Sequence, residues 1–144
     1  MLSSLKSMFR AKAAAPAAAV PEGAVAFAIG DVHGRDDLLA PLVAHMFEDA
    51  GFKAAERRVI VGLGDYVDRG PKSRGVLDRL LRSPFPGDYV ALKGNHEALL
   101  ETFLADPRTG THWQHLGGLE TMNSFGVRAA TLLGGLDFDR AAAQ

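Results

Sequence analysis

An α/β fold built on a parallel sheet is predicted by three features of this chain. Apolar runs end three times in a glycine-led polar turn: Gly30-Asp31-Val32-His33-Gly34, Gly64-Asp65-Tyr66-Val67-Asp68-Arg69-Gly70 and Gly94-Asn95-His96-Glu97. The leading glycines fall 34 and 30 residues apart (64 − 30 and 94 − 64), which is about one βαβ unit. Between the turns, apolar residues recur at helical spacing. Right-handed crossovers then carry all three turns to one edge of the sheet, the edge where open α/β sheets bind ligands.

The elements follow in order. Ala24–Ile29 is the first strand. A helix opens near Asp36 or Asp37, either of which can cap it, and runs through Leu38, Leu39, Leu42, Val43, Met46 and Phe47 with Gly51 as its stop. Pro41 inside that pattern predicts a kink or a later start. Arg58 to Leu63, short and rich in β-branched residues, reads as a strand buried on both faces. Ser73 to Ser83 is a second helix with an apolar stripe at Val76, Leu77, Leu80 and Leu81, ended by Pro84 and Pro86. Tyr89–Leu92 is a third strand, and the helix through Leu99, Leu100, Phe103 and Leu104 is closed by Pro107.

At 144 residues, 47% hydrophobic and 23% charged, with a net charge of −1, the chain has the profile of one globular domain. There is no charge excess for long-range attraction to nucleic acid, so a nucleic-acid partner is not expected. With no cysteine, disulfides and thiolate ligands are excluded, leaving His, Asp, Asn and Glu as candidate ligands. No apolar run approaches the roughly 20 residues of a membrane span, and a cytoplasmic location is expected. Residues 1–22 read as a flexible leader, whose Leu2, Leu5, Met8 and Phe9 alternatively make one face of a basic amphipathic helix. A secretory signal is disfavoured because Pro16 splits a weakly apolar Ala-rich stretch.

The residue types at the three turns suit metal and phosphate chemistry. Asp31 and His33, two apart in a turn, can face one cation, with Asp65 as a third ligand. The second oxygen of Asp65 can reach another cation that Asn95 binds through its amide. Paired divalent ions lower the pKa of a shared water and stabilise charge on a phosphoryl group under in-line attack. Mixed N and O ligands suit manganese, iron or zinc better than calcium, without choosing among the three. His96 is the natural general acid, Asp68 can orient it, and Arg69 offers a planar fork to phosphate. Any one of these residues alone is commonly a helix cap or a solvated turn residue. Three such turns at three successive strand ends call for a shared site. His45, His112 and His115 lie away from the turns and read as structural.

These three motifs, in this order and spacing, resemble the signatures of the calcineurin-like metallophosphoesterases. The arginine-containing second motif and Glu97 at the end of the third are similar to the phosphoprotein phosphatase branch, which includes serine/threonine protein phosphatases and diadenosine tetraphosphatases. Trp113, Gly117-Gly118, Thr121 and Ser124-Phe125-Gly126 resemble a segment of bacterial members. The resemblance implies two divalent metals, with Asp31 and His33 on the first, Asp65 bridging and Asn95 on the second. It also implies that His96 with Asp68 protonates the leaving group and that Arg69 holds phosphate. The substrate it implies is a phosphoprotein or a dinucleoside polyphosphate.

Family members also carry two later metal-binding histidines, a second phosphate-binding arginine and the other half of a four-layer sandwich. No motif after Gly126 matches these. The expectation is therefore an N-terminal part of the domain over residues 23–128 with a tail at 129–144, an incomplete second metal site, one uncovered sheet face and impaired activity. A non-catalytic binding module is the alternative. A Rossmann-type nucleotide site is not expected, since no Gly-x-Gly-x-x-Gly follows any strand.

Overall fold

Three parallel strands, β1 (Ala24–Ile29), β2 (Arg57–Gly62) and β3 (Asp88–Ala91), lie in the order β1-β2-β3, with Phe27 opposite Ile60 and Ile60 opposite Tyr89. The computed structural model describes residues 19–82 and 84–127. The apolar residues of the leader (Leu2, Leu5, Met8, Phe9) and the tail at 129–144 lie outside the described residues. The α/β class and the parallel sheet are as the turn spacing predicts.

Crossovers of one hand, taken in one direction across a sheet, lay their helices on the same face. Accordingly α1 (Asp36–Glu48), α2 (Ala50–Ala54) and α3 (Ser73–Leu81) supply Leu39, Val43, Met46, Phe52 and Val76 to one core with Val25, Phe27, Ile29, Ile60 and Tyr89. The rings of Phe27 and Phe52 meet edge to face at 5.4 Å. On the other face Ala26, Ala28 and Val90 are exposed, while Val59 and Val61 are only half-buried. The reading of β2 as buried on both faces is thus corrected among the described residues. Its β-branched run packs on one side only, because both crossover helices lie there.

Local predictions around α1 need three corrections. Neither Asp36 nor Asp37 caps the helix: Arg35 is the N-cap, Asp37 accepts from Arg35, and Asp36 accepts from Arg79 on α3. The helix does not start late, since Pro41 lies within it. Gly51 is no stop either. Asp49 adopts an extended conformation that ends α1, and its carboxylate accepts from the Phe52 amide at 2.8 Å, starting α2 with Gly51 inside. That restart drives Phe52 into the core, where it is 2% exposed.

A second, smaller cluster stands beyond β3. In α4 (Asn95–Ala105), α5 (Gly110–Trp113) and α6 (Leu119–Ser124), Phe103, Trp113 and Met122 pack together, the rings of Phe103 and Trp113 being 4.7 Å apart. Gln114–Gly118 forms a widened turn between α5 and α6, broken at Gly117 with φ 106° and ψ 11°. This reversal brings α6 back against the second polar turn.

Candidate metal centre

The turns after β1, β2 and β3 meet, and backbone hydrogen bonds lock them. The amides of Val32 and His33 donate to Asp65 O at 3.0 and 2.9 Å, and that of Gly34 donates to Tyr66 O at 2.8 Å. Gly64 and Gly94 touch so closely that a Cβ on Gly64 would collide with the Gly94 backbone. This need for close approach explains why both turns open on glycine. Glu97, in the first turn of α4, closes the arrangement. Its carboxylate accepts from the amides of Asp65 and Tyr66, both at 2.7 Å, of Gly94 at 2.9 Å and of Val67 at 3.3 Å.

Among the described residues, the non-glycine positions with positive φ are His33 (43°), Asp65 (55°), Asp68 (71°) and Arg69 (65°). All four belong to the predicted site. Such conformations cost of order 1–3 kcal/mol each and persist where the surroundings over-determine them. Here the Glu97 carboxylate and the zipped turns supply that constraint.

His33 has a fixed orientation. Its Nδ1 lies 2.8 Å from Val67 O, and a carbonyl only accepts, so Nδ1 carries a proton and Nε2 is the nitrogen left to face a ligand. That Nε2 is buried and has no hydrogen-bond partner among the described residues. It lies 3.6 Å from Asp31 Oδ2. Ligand atoms of His33, Asp65 and His96 all lie within 4.8 Å of one another. A ring nitrogen held by a backbone carbonyl, with its other nitrogen bare among carboxylates, is the disposition of a metal-ligating imidazole. The donor set is N and O, which fits a first-row divalent cation. Asn95 opens α4 directly after Gly94 and is exposed.

His96 belongs to the same cluster but its ring is otherwise engaged. Nδ1 lies 2.8 Å from Asp68 Oδ2, and Arg69 Nη2 is 3.1 Å from Nε2. Arg69 can only donate, so Nε2 accepts. Asp68 is fully buried. Its Oδ2 also accepts from Trp113 Nε1, and its Oδ1 accepts from Thr121 Oγ1, each at 2.7 Å. The Asp68 amide donates to Thr121 Oγ1 at 2.8 Å and to Ser73 Oγ at 3.1 Å. The pair is thereby rigid: Trp113 and Thr121 fix the carboxylate, and the carboxylate fixes the imidazole.

Asp31, His33, Asp65, Asp68, Arg69 and His96 are therefore brought together as the sequence predicts, with Asn95 beside them. Sequence reasoning gave no role to Glu97, Trp113, Thr121 or Ser73. Glu97 had a signal, since a Glu three residues after a turn residue is half of a capping box. Trp113 and Thr121 had only their place in the segment that resembles bacterial members, which names the residues without saying that both reach Asp68. His115 is corrected in part: it is exposed, but it lines a pocket with Arg69, because the Arg69 amide donates to Gly117 O. His45 is exposed in the last turn of α1.

Comparison with known proteins agrees with this geometry. The family described as Calcineurin-like phosphoesterase matches residues 26–139. Serine/threonine-protein phosphatase 2 of Escherichia coli (strain K12) is 36% identical over 91 residues, 62% of this chain and 37% of that protein. The chain thus spans little more than a third of the length of that relative. No solved structure matches the chain.

Proposed function

Since the chain belongs to the calcineurin-like phosphoesterases, we propose that it serves metal-dependent hydrolysis of phosphomonoesters on serine/threonine phosphoproteins, by direct attack of water and without a covalent enzyme intermediate. The observation that carries this reading is His33 Nε2, buried and unpartnered beside Asp31 and Asp65. The phosphoprotein branch is favoured by the similarity to serine/threonine-protein phosphatase 2 and by Arg69 and Glu97 in the motifs.

In this reading Asp31, His33 and Asp65 would hold one divalent ion, and Asp65 and Asn95 would contribute to a second. Manganese is the first candidate, with iron or zinc as substitutes. When bound, such ions lower the pKa of water and stabilise charge on the phosphoryl group. Glu97 holds the Asp65 backbone so that its carboxylate stays in place. Arg69 gives up its contact with His96 Nε2 to bind phosphate oxygens bidentately. That exchange frees Nε2 to carry the proton delivered to the leaving oxygen. Asp68, fixed by Trp113 and Thr121, keeps the imidazole turned toward it.

The test is phosphate release from p-nitrophenyl phosphate and a phosphothreonine peptide, with manganese, with zinc and with EDTA, alongside calorimetric metal titration. EDTA-sensitive release is the expected outcome. Failure to bind any divalent metal overturns the proposal.

A further inference from the structure

A pocket of about 400 Å³ opens beside the phosphate-binding guanidinium, lined by Arg69, Gln114, His115, Gly117 and Glu120 among others. It carries two opposite charges. Among the described residues Arg69 contacts the His96 ring but no carboxylate, and Glu120 has no ion-pair partner. The two line one pocket without pairing with each other, so each remains available to a ligand. Gln114 adds a side-chain carbonyl oxygen that is buried without a hydrogen-bond partner among the described residues. Its terminal torsion is broad, and a bound N–H would satisfy it.

The placement is built into the backbone. Gly117 O accepts from the Arg69 amide at 3.1 Å, and a Cβ on Gly117 would collide with the Arg69 backbone. Thr121, next to Glu120, bonds to Asp68. The widened turn at Gln114–Gly118 therefore sets both ends of the pocket relative to the phosphate site.

Resting on the proposed phosphoesterase reading, we infer that this pocket is the subsite for the peptide around the phosphorylated residue, and that Glu120 selects substrates with an arginine or lysine near the phosphoserine or phosphothreonine. A ligand with a phosphate at one end and a cation at the other matches Arg69 and Glu120 together. A dinucleoside polyphosphate carries further negative charge and is repelled by Glu120.

The test is fluorescence anisotropy of labelled phosphothreonine peptides flanked by arginine, alanine or glutamate, titrated with the full chain at low salt. Affinity should fall in that order, by about three- to tenfold between arginine and glutamate flanks, as expected of a partly solvated charge pair. Glu120→Gln should bring the three peptides together, Glu120→Asp should retain the order, and Arg69→Ala should weaken all three alike. Circular dichroism confirms that each variant folds. A preference that survives Glu120→Gln overturns the inference, as does diadenosine tetraphosphate competing as well as the arginine peptide. If metal binding and EDTA-sensitive release hold while flanking charge has no effect, the subsite alone is wrong. If no metal binds and no phosphopeptide binds, the phosphoesterase reading falls with it.

Discussion

Asp65 occupies a left-handed backbone position at φ 55°, which Asn tolerates about as well as Asp does. Asp65→Asn therefore keeps the fold while removing the charge that two cations would share. Calorimetry should register a sharp loss of metal affinity with the melting temperature of the metal-free protein little changed. His96→Asn should spare metal affinity and slow turnover by roughly 10² to 10⁴, the usual worth of a general acid. Equal loss of metal affinity in both variants would make His96 a ligand instead. Glu97 is the residue whose change should damage the scaffold itself. Each of its oxygens accepts from two backbone amides, so Glu97→Gln strands two buried donors whichever way the amide turns. A loss of about 2–4 kcal/mol in urea unfolding is expected.

At the scale of elements, α1 and α3 are tied by Asp36 and Arg79, whose Nε and Nη2 reach the two carboxylate oxygens at 2.5 and 3.1 Å. The hydrogen bond from Arg79 lowers the Asp36 pKa below its ordinary 3.8. A depressed carboxyl pKa stabilises the fold above the ordinary value, and that contribution is lost as pH falls through the depressed one. Asp36→Asn should therefore cost about 1 kcal/mol at neutral pH, the scale of a partly exposed bidentate pair. The difference from the parent should shrink once the pH falls below the ordinary carboxyl value and vanish only below the depressed one. Denaturant midpoints at pH 7 and pH 3 compare the two; a deficit unchanged at pH 3 would mean that the pair stabilises by packing alone.

For the molecule as a whole, the site is also a place of stored strain, with its positive-φ residues held by the zipped turns and Glu97. A ligand that binds only the folded state adds RT ln(1 + [L]/Kd), about 2.7 kcal/mol at a hundredfold excess over Kd. Manganese or zinc should accordingly raise the melting temperature, EDTA should reverse the rise, and Asp65→Asn should abolish it. An unchanged melting temperature in the parent protein at millimolar metal would count against the centre. The sheet face opposite the helices presents a different property: Leu63, Val90 and Leu92 are 51%, 44% and 47% exposed. That face carries apolar area which the described residues leave in contact with solvent.

The α/β class, the three turns and the chemistry-bearing residues within them are legible in the order of the amino acids alone. Apolar runs fix where strands lie, and their spacing admits only parallel strands with crossovers between. Polar residues left at the strand ends then have one edge to share. Local signals failed where a distant partner outcompeted them. Asp36 looked like a cap, but Arg79 takes its carboxylate; Gly51 looked like a stop, but Asp49 restarts the chain so that Phe52 can bury. The one-sided burial of β2 could not be read from its own residues, because it depends on which face both crossovers occupy. That Glu97 braces the Asp65 turn, and that Trp113, Thr121 and Ser73 clamp Asp68, follows from packing between elements. The Trp113 and Thr121 contacts join residues 45 and 53 positions apart, and α6 comes back to Asp68 through the break at Gly117, whose direction no periodicity in the sequence encodes.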